Sequence, residues 1–364
     1  MKRIAALGLL LCLLWACGPR APIKVGFVSG LSGSAADLAV EGRNGALLAV
    51  ETLNAAGAQR FELLVEDDQQ SPQRLSEALQ SLAARGAQWV VGPMTSAMAV
   101  AAMPELERLK LVAISPTATS HELSGRKDHF FRIATDAPQS ARQLSQVLYQ
   151  RGLRRVAVLM DMRNRAYTES FGLALVAQLR ELGAPAPAEL RYQSGPGLDY
   201  AALAERLLAT QPEAVVLVNS APEAALTAQA LRRIRPALQL AVSPWGANKS
   251  LLEYGGRAIE GALVLQALDL DDESPAFVDF KKRYQARFGD PPGTAAVQSY
   301  DSLMLGAQAW RARAGAQSLR EVLGEAGRRW TLLQGPLQLD AHGDTDRRLH
   351  LSEARAGRLQ GLRP

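Results

Sequence analysis

The chain has 364 residues, 48% of them hydrophobic, and a formal charge of +5. That composition is globular and excludes an intrinsically disordered chain, and the length suits two domains of roughly 150 residues each. The arginines are scattered, as in Arg154-Arg155, Arg232-Arg233 and Arg328-Arg329, with no aromatic residues interleaved, which excludes a nucleic-acid partner.

Lys2 and Arg3 precede a nearly unbroken apolar stretch, Ile4 through Trp15. A helix needs about 20 apolar residues to cross a bilayer, so this stretch reads as the core of a signal peptide. It ends in Leu14-Trp15-Ala16-Cys17-Gly18, which resembles a bacterial lipobox, with Trp15 where a small residue is usual. Residues 1–17 are therefore expected to be a lipoprotein leader with Cys17 as the lipid anchor. Cys12 would leave with the leader, so no disulfide or thiolate metal site is expected in the exported chain.

A short tether, residues 19–22, leads into regular alternation. Ile23–Val28 reads as a buried strand. Ala46, Leu47, Val50 and Leu53 make a helical stripe, and Phe61–Val65 is the next strand. Ser71-Pro72 opens a helix with Leu75, Ala78, Leu79 and Leu82 inward. Trp89–Val91 and Leu111–Ser115 are strands, with a helix beginning near Ser96 between them. The alternation restarts with a strand at Arg155–Met160, a helical stripe of Phe171, Leu175, Leu179 and Leu182, and a strand at Ala188–Tyr192. A helix over 200–210, a continuous apolar strand at Ala214–Val218, a helix over 222–234 and a strand at Leu240–Ser243 follow. Two successive βαβα blocks predict two doubly wound parallel-sheet lobes of the α/β class. The last third differs: a strand at Ala262–Ala267, helices near 274–288, 294–313 and 318–326, then Gly335–Leu339, Leu349–Ser352 and Leu359–Leu362 as strands.

No constellation for catalysis is present: no G-x-S-x-G elbow, no P-loop, no G-x-G-x-x-G and no H-E-x-x-H. His121, His129, His342 and His350 lack metal-ligand spacing, and Glu66-Asp67-Asp68 at a strand end reads most simply as a turn cap. The chain is expected to be neither an enzyme nor a cofactor or metal protein. Ligands of open α/β sheets bind beyond the carboxyl ends of the strands. Two such ends stand out. Gly92-Pro93-Met94-Thr95-Ser96 enters a helix whose free N–H groups favour an anion, and Ser115 to Ser120 carries a run of hydroxyls. By spacing alone, an N-cap role for Ser96 and a turn role for Thr119 are the simpler readings.

Val25-Gly26 to Leu31-Ser32-Gly33, Asn44-Gly45-Ala46, Asp67-Asp68 to Pro72, Val91-Gly92-Pro93 to Ser96, Ile114-Ser115-Pro116 to Thr119, Phe131-Arg132-Ile133 and Gly335-Pro336-Leu337 occur in this order. Together they resemble the branched-chain amino-acid-type substrate-binding proteins of ABC importers, which have the type I periplasmic binding fold. The resemblance spans nearly the whole chain after the leader. It implies three crossings between lobes, near Thr135, Ala267 and Pro336. Lobe one is then 22–134 plus 268–336, and lobe two 135–267 plus 337–364. It implies that Ser96 and Thr119 bind a ligand carboxylate, with Thr117 adding backbone groups. Tyr167 would fold over the ligand from lobe two, and Leu38 would stand where an aromatic often lines the pocket. Amino-acid binders of this family carry an acid for the ammonium where this chain has Trp245, and Asn219-Ser220-Ala221 lacks the aromatic often found there, leaving Ser220. Trp245 could stack on an apolar ligand, face a cation or pack between loops, and Asp136 near the first crossing could supply the charge instead. The implied partners are a small polar ligand and a membrane permease, with the protein a lipid-anchored monomer outside the cytoplasm. The other reading is a non-transport sensor or envelope-enzyme activator on the same fold.

Overall fold

The computed structural model describes residues 21–32, 36–57, 59–269 and 271–362. The expected leader with Cys17, residues 19–20 of the expected tether, and Gly33 lie outside the described residues. Strand β1 (Ile23–Ser29) is followed by α1 (Ala36–Ala55), β2 (Phe61–Asp67), α2 (Pro72–Ala84), β3 (Val90–Val91), α3 (Ser96–Leu109), β4 (Ala113–Ser115) and β5 (Phe130–Arg132). Their strands form a five-stranded parallel sheet in the order β2-β1-β3-β4-β5. Helix α2 begins where its sequence dictates: the Ser71 side chain accepts from the Arg74 N–H, Pro72 sits in the first turn, and Leu75, Ala78, Leu79 and Leu82 face inward. In α1 the inward residue is Leu48; Leu47, the residue expected on the stripe, is half-buried.

The second lobe comprises α4 (Ala137–Gln150), β6 (Val156–Asp161), α5 (Arg165–Glu181), β7 (Ala188–Tyr192), α6 (Tyr200–Leu208), β8 (Ala214–Val218), α7 (Ala221–Ile234), β9 (Gln239–Val242), α8 (Lys249–Gly255) and β10 (Leu263–Gln266). Helices α9 (Pro275–Phe288), α10 (Thr294–Ala312) and α11 (Leu319–Leu323) and the hairpin β11 (Arg329–Leu332) and β12 (Gly335–Gln338) return to the first lobe. The chain ends as β13 (His350–Arg355) and β14 (Arg358–Gly361), which extend the second sheet to the order β14-β13-β10-β9-β8-β6-β7. Pairing there is parallel except at β13 and β14. Each sheet is covered by apolar clusters on both faces, so β8 is buried at every residue.

Helix α10 is the backbone of the first lobe. It packs so closely on α1 that a side chain at Gly45 would place its Cβ 2.0 Å from the Ala296 carbonyl oxygen. A side chain at Gly92, where φ is +117°, would meet the Val28 carbonyl oxygen at 2.2 Å.

The chain leaves the first lobe between Arg132 and Asp136 and returns at Ala267 and Leu268. The third passage does not lie at Pro336. Leu337 and Leu339 are buried in the first lobe's core, and the Gly343 carbonyl accepts from the Arg132 N–H. The crossing comes instead at Arg347, whose N–H donates to the Thr135 hydroxyl (2.7 Å) while that hydroxyl donates to the Arg347 carbonyl (2.6 Å). Lobe one therefore keeps roughly ten residues that the sequence assigns to lobe two. Burial of Leu337 and Leu339 supplies the reason, since the hairpin's apolar side has nowhere else to go.

Among the described residues, no helix is long and apolar enough to cross a membrane, and no group of His, Cys, Asp and Glu could hold a metal ion.

Candidate functional site

The cleft between the lobes encloses a cavity with about 60 Å³ open to water. One water needs about 10–15 Å³ by that measure, so the cavity has room for several waters or a small ligand in a partly closed cleft. The first lobe contributes Leu38, Met94, Thr95, Ser96, Thr117, Thr119, Thr294, Ala295 and Gln298 to its lining; the second contributes Asn164, Tyr167, Trp245 and Asn248.

On the first-lobe side, Ser96 begins α3 and is 1% exposed. Its Oγ accepts from the Thr119 N–H (2.9 Å) and the Ser120 N–H (3.0 Å). Both acceptor positions are therefore filled and one hydroxyl proton remains to donate. The Thr117 hydroxyl donates to the Met94 carbonyl, which ties the two strand-end loops together. This is a wall of neutral donors set by β3 and β4, at the carboxyl ends of adjacent parallel strands.

The opposite wall is aromatic. Tyr167 is 4% exposed and packs against Phe171 with ring centroids 5.9 Å apart. It meets Trp245 edge to face at 5.8 Å and 77°. Such pairs add about 0.5–1.5 kcal/mol beyond area burial. Burial pushes the Tyr167 phenol well above its usual range, so it stays a neutral hydroxyl.

Five sequence-derived candidates that line the wall are thus brought together: Ser96, Thr117, Thr119, Tyr167 and Trp245. Leu38 joins them as an aliphatic contact. Asp136 and Ser220 are not brought to this cavity. Asp136 is the N-cap of α4, its carboxylate accepting from the Gln139 N–H at 2.8 Å. It is occupied by the helix it starts. Ser220 precedes α7 and lines a separate cavity of about 310 Å³ with Asp161, Arg163 and Ser194, on the far side of Trp245. Residues that sequence reasoning missed include Thr95, Asn164, Asn248 and Gln298. Gln298 had a signal: a polar residue, 5% exposed, on the buried face of α10.

Among the described residues that line the cavity there is no Asp, Glu, Lys, Arg or His. Asp37 and Glu41 line a neighbouring crevice. Asp37 accepts from the Leu38 N–H and from Asn248 Nδ2, each at 2.8–2.9 Å. Glu41 accepts from the Ala296 N–H at the start of α10 (3.1 Å), and burial pushes its carboxyl up to about 7. The Glu66-Asp67-Asp68 trio holds loops: Asp67 accepts from the Leu31 and Gln69 N–H groups, and Asp68 from that of Gln70.

The match to a family model described as periplasmic binding protein covers residues 22–358. The chain belongs to that family. This binding protein is 27% identical to the Leu/Ile/Val-binding protein homolog 3 of Brucella melitensis over 297 residues, 79% of this chain and 78% of the relative. It is 27% identical to the leucine-specific-binding protein of Salmonella typhimurium over 333 residues, 88% of each chain. Among solved structures, a leucine binding protein from Thermotoga maritima superposes with a TM-score of 0.86 at 20% identity, over 94% of this chain and 98% of that one. A solute binding protein of an ABC transporter from R. palustris, in complex with benzoate, superposes with a TM-score of 0.84 at 18% identity, over 94% and 96%. The two-lobe α/β architecture is that of the type I periplasmic binding fold. The family consists of extracytoplasmic substrate-binding proteins of ABC transporters, not enzymes.

Proposed function

We propose that this binding protein captures a small carboxylate lacking an α-ammonium, either an aromatic or a branched aliphatic acid, and presents it to an ABC permease. The observation that carries this reading is the absence of charged side chains among the described residues that line this one cavity. A carboxylate accepts hydrogen bonds from neutral hydroxyls well, at about 1.5–3 kcal/mol each. An ammonium stripped of water needs a carboxylate, and the resemblance puts Trp245 at the position of the acid in this family's amino-acid binders. The Tyr167–Trp245 wall suits an apolar body on the acid. The benzoate-bound R. palustris relative, and another from that genus bound to 3,4-dihydroxybenzoic acid, support the same chemistry.

Two substitutions test the headgroup. Thr119→Ala should weaken benzoate binding by about 1–3 kcal/mol, or roughly 5- to 150-fold, with little loss of stability, because the Thr119 hydroxyl bonds to no other side chain or backbone group among the described residues. Ser96→Ala should lose affinity and also lower the melting temperature, since it leaves the Thr119 and Ser120 N–H groups unpaired. Calorimetric titration of benzoate decides: unchanged affinity in Thr119→Ala removes the assignment.

The anchor belongs to the same proposal. Lipidation at Cys17 would hold the monomeric protein beside its permease, and Cys17→Ser should release it into the soluble fraction of the exporting cell. Continued sedimentation of that variant with membranes would show that something else retains it.

A further inference from the structure

A buried polar side chain that pairs with nothing destabilises a protein, and in a ligand cavity it is a spare contact. Six polar side chains of the cavity lining already serve protein groups. Thr95 donates to Gln70 Oε1 (3.2 Å), Thr117 to the Met94 carbonyl, Thr135 to the Arg347 carbonyl (2.6 Å) and Ser140 to the Asp136 carbonyl (2.9 Å). Asn164 accepts from the Ala97 N–H (3.0 Å), and Asn248 donates to Asp37 (2.9 Å). The hydroxyls of Ser96, Thr119 and Tyr167 and the Trp245 indole belong to the two walls already described. Two polar side chains remain, and both stand on α10. Gln298 is 5% exposed, and its amide makes no hydrogen bond among the described residues. Thr294, one turn earlier on the same helix face, has a buried hydroxyl without a partner.

This pair lies on a different flank of the cavity from the carboxylate hydroxyls. The start of α3, which carries Ser96, is bonded to Asn164, and Asn164 also lines the cavity of Asp161 and Ser220. Thr294 is shared instead with the crevice of Asp37 and Glu41, whose lining has no residue in common with that second cavity. We propose that Gln298, with Thr294, forms a second polar subsite that selects a hydroxyl group on the part of the ligand remote from its carboxylate. The proposal rests on the carboxylate reading and narrows it to hydroxylated acids. The Gln298 amide both donates and accepts, and a hydroxyl does both in a single heavy atom. A primary amide needs three heavy atoms for the same pairing, in a cavity with about 60 Å³ open to water. A ligand with only hydrogen there leaves the buried amide unpaired, which is how a polar site rejects an analogue lacking the group.

Calorimetric titration compares benzoate with ortho-, meta- and para-hydroxybenzoate on the wild-type protein, Gln298→Met and Thr119→Ala. The wild-type protein should bind the meta or the para acid about ten-fold tighter than benzoate, the ratio that one ordinary hydrogen bond sustains. Methionine keeps the length of the side chain without its amide, so Gln298→Met should bring the ratio to about one. That variant removes an unpaired amide from the interior and should melt no lower than the wild type. Thr119→Ala should weaken every acid and keep the ratio, because it acts at the other end of the ligand. A preference that survives in Gln298→Met, or a gain confined to the ortho acid, whose hydroxyl lies beside the carboxylate, would overturn the subsite. Benzoate binding with no hydroxyl preference in the wild-type protein removes the subsite alone. Silence toward all four acids removes the carboxylate reading and the subsite with it.

Discussion

Replacing Gly45 with alanine is expected to lower the melting temperature by roughly 10 °C, since overpacking costs up to about 3 kcal/mol and each kcal/mol shifts a domain of this size by about 2–4 °C. The added methyl would sit 2.0 Å from the Ala296 carbonyl oxygen, closer than any van der Waals contact. The neighbour is backbone, so no side chain can swing away, and α1 and α10 must separate. That seam holds Ala46, Ala49, Ala296 and Leu303, all fully buried. The damage reaches the cleft as well, because α10 brings Thr294, Ala295 and Gln298 to the cavity wall. Ligand affinity should fall with stability. Gly195→Ala is the control: its new methyl meets nothing within 4 Å, so its melting temperature should stay near that of the parent. Thermal unfolding of the three proteins checks the contrast, and a Gly45→Ala protein as stable as the parent would mean that the helices are not so closely apposed.

The second large effect is on pH. Asp301, also on α10, is fully buried; its Oδ1 accepts from the Leu333 N–H, and Arg347 stands 4.0 Å from its other oxygen. Burial pushes its carboxyl up to about 7, outweighing the hydrogen bond and the arginine, which pull the other way. Glu41 is raised to about 7 for the same chief reason. The native protein thus holds these protons more tightly than the unfolded chain does. Their contribution is complete below the ordinary carboxylate range, near pH 4, and is lost as pH rises toward 7. At 1.36 kcal/mol per pH unit this amounts to on the order of 3–4 kcal/mol for each group. Asp301→Asn should therefore be least favourable relative to wild type at pH 4 and below, gain steadily up to about pH 7 and level off above it, because the amide keeps an oxygen for Leu333 and never ionises. Melting temperatures of the pair at half-unit intervals test this. A difference independent of pH would show that Asp301 is ionised throughout.

Much of the fold was legible because its strands are short, apolar and buried on both faces. Ala214–Val218 is such a strand, Ala188–Tyr192 is a half-exposed edge strand, and the Ser71-Pro72 start of α2 is a local signal that tertiary context does not alter. The stretch between Ser115 and Arg155 was not legible. Strand β5 has only three residues, and one of them is Arg132, 1% exposed, whose charge is met by Asp344 at 2.9 Å from the distant third passage. Helix α4 was missed although Asp136-Ala137-Pro138 marks its start and Ala137, Ala141, Leu144 and Leu148 make a regular inward stripe beside the buried Ser140 and Ser145. The hairpin strand β11 and helix α8 were missed as well; they are short and gain their place from neighbours.

The site divides the same way. Ser96, Thr117 and Thr119 follow from strand ends, which sequence can locate. Asn164 and Asn248 act on groups in the opposite lobe, so their roles exist only once the lobes meet. Asp136 was misread because a carboxylate near a crossing looks available until its own helix is seen to use it.

The most direct test of the uncharged cleft is one matched pair of ligands. Leucine and 4-methylpentanoate differ only in the α-ammonium. A thermal-shift titration of residues 18–364, against both, compares that single group. The account predicts a rise in melting temperature with 4-methylpentanoate, about 2.7 kcal/mol of added stability at 100 times its dissociation constant, and none with leucine. A rise with leucine and silence from 4-methylpentanoate would contradict it, and would mean that a charge outside the cavity wall, such as Asp37, reaches the ammonium after all.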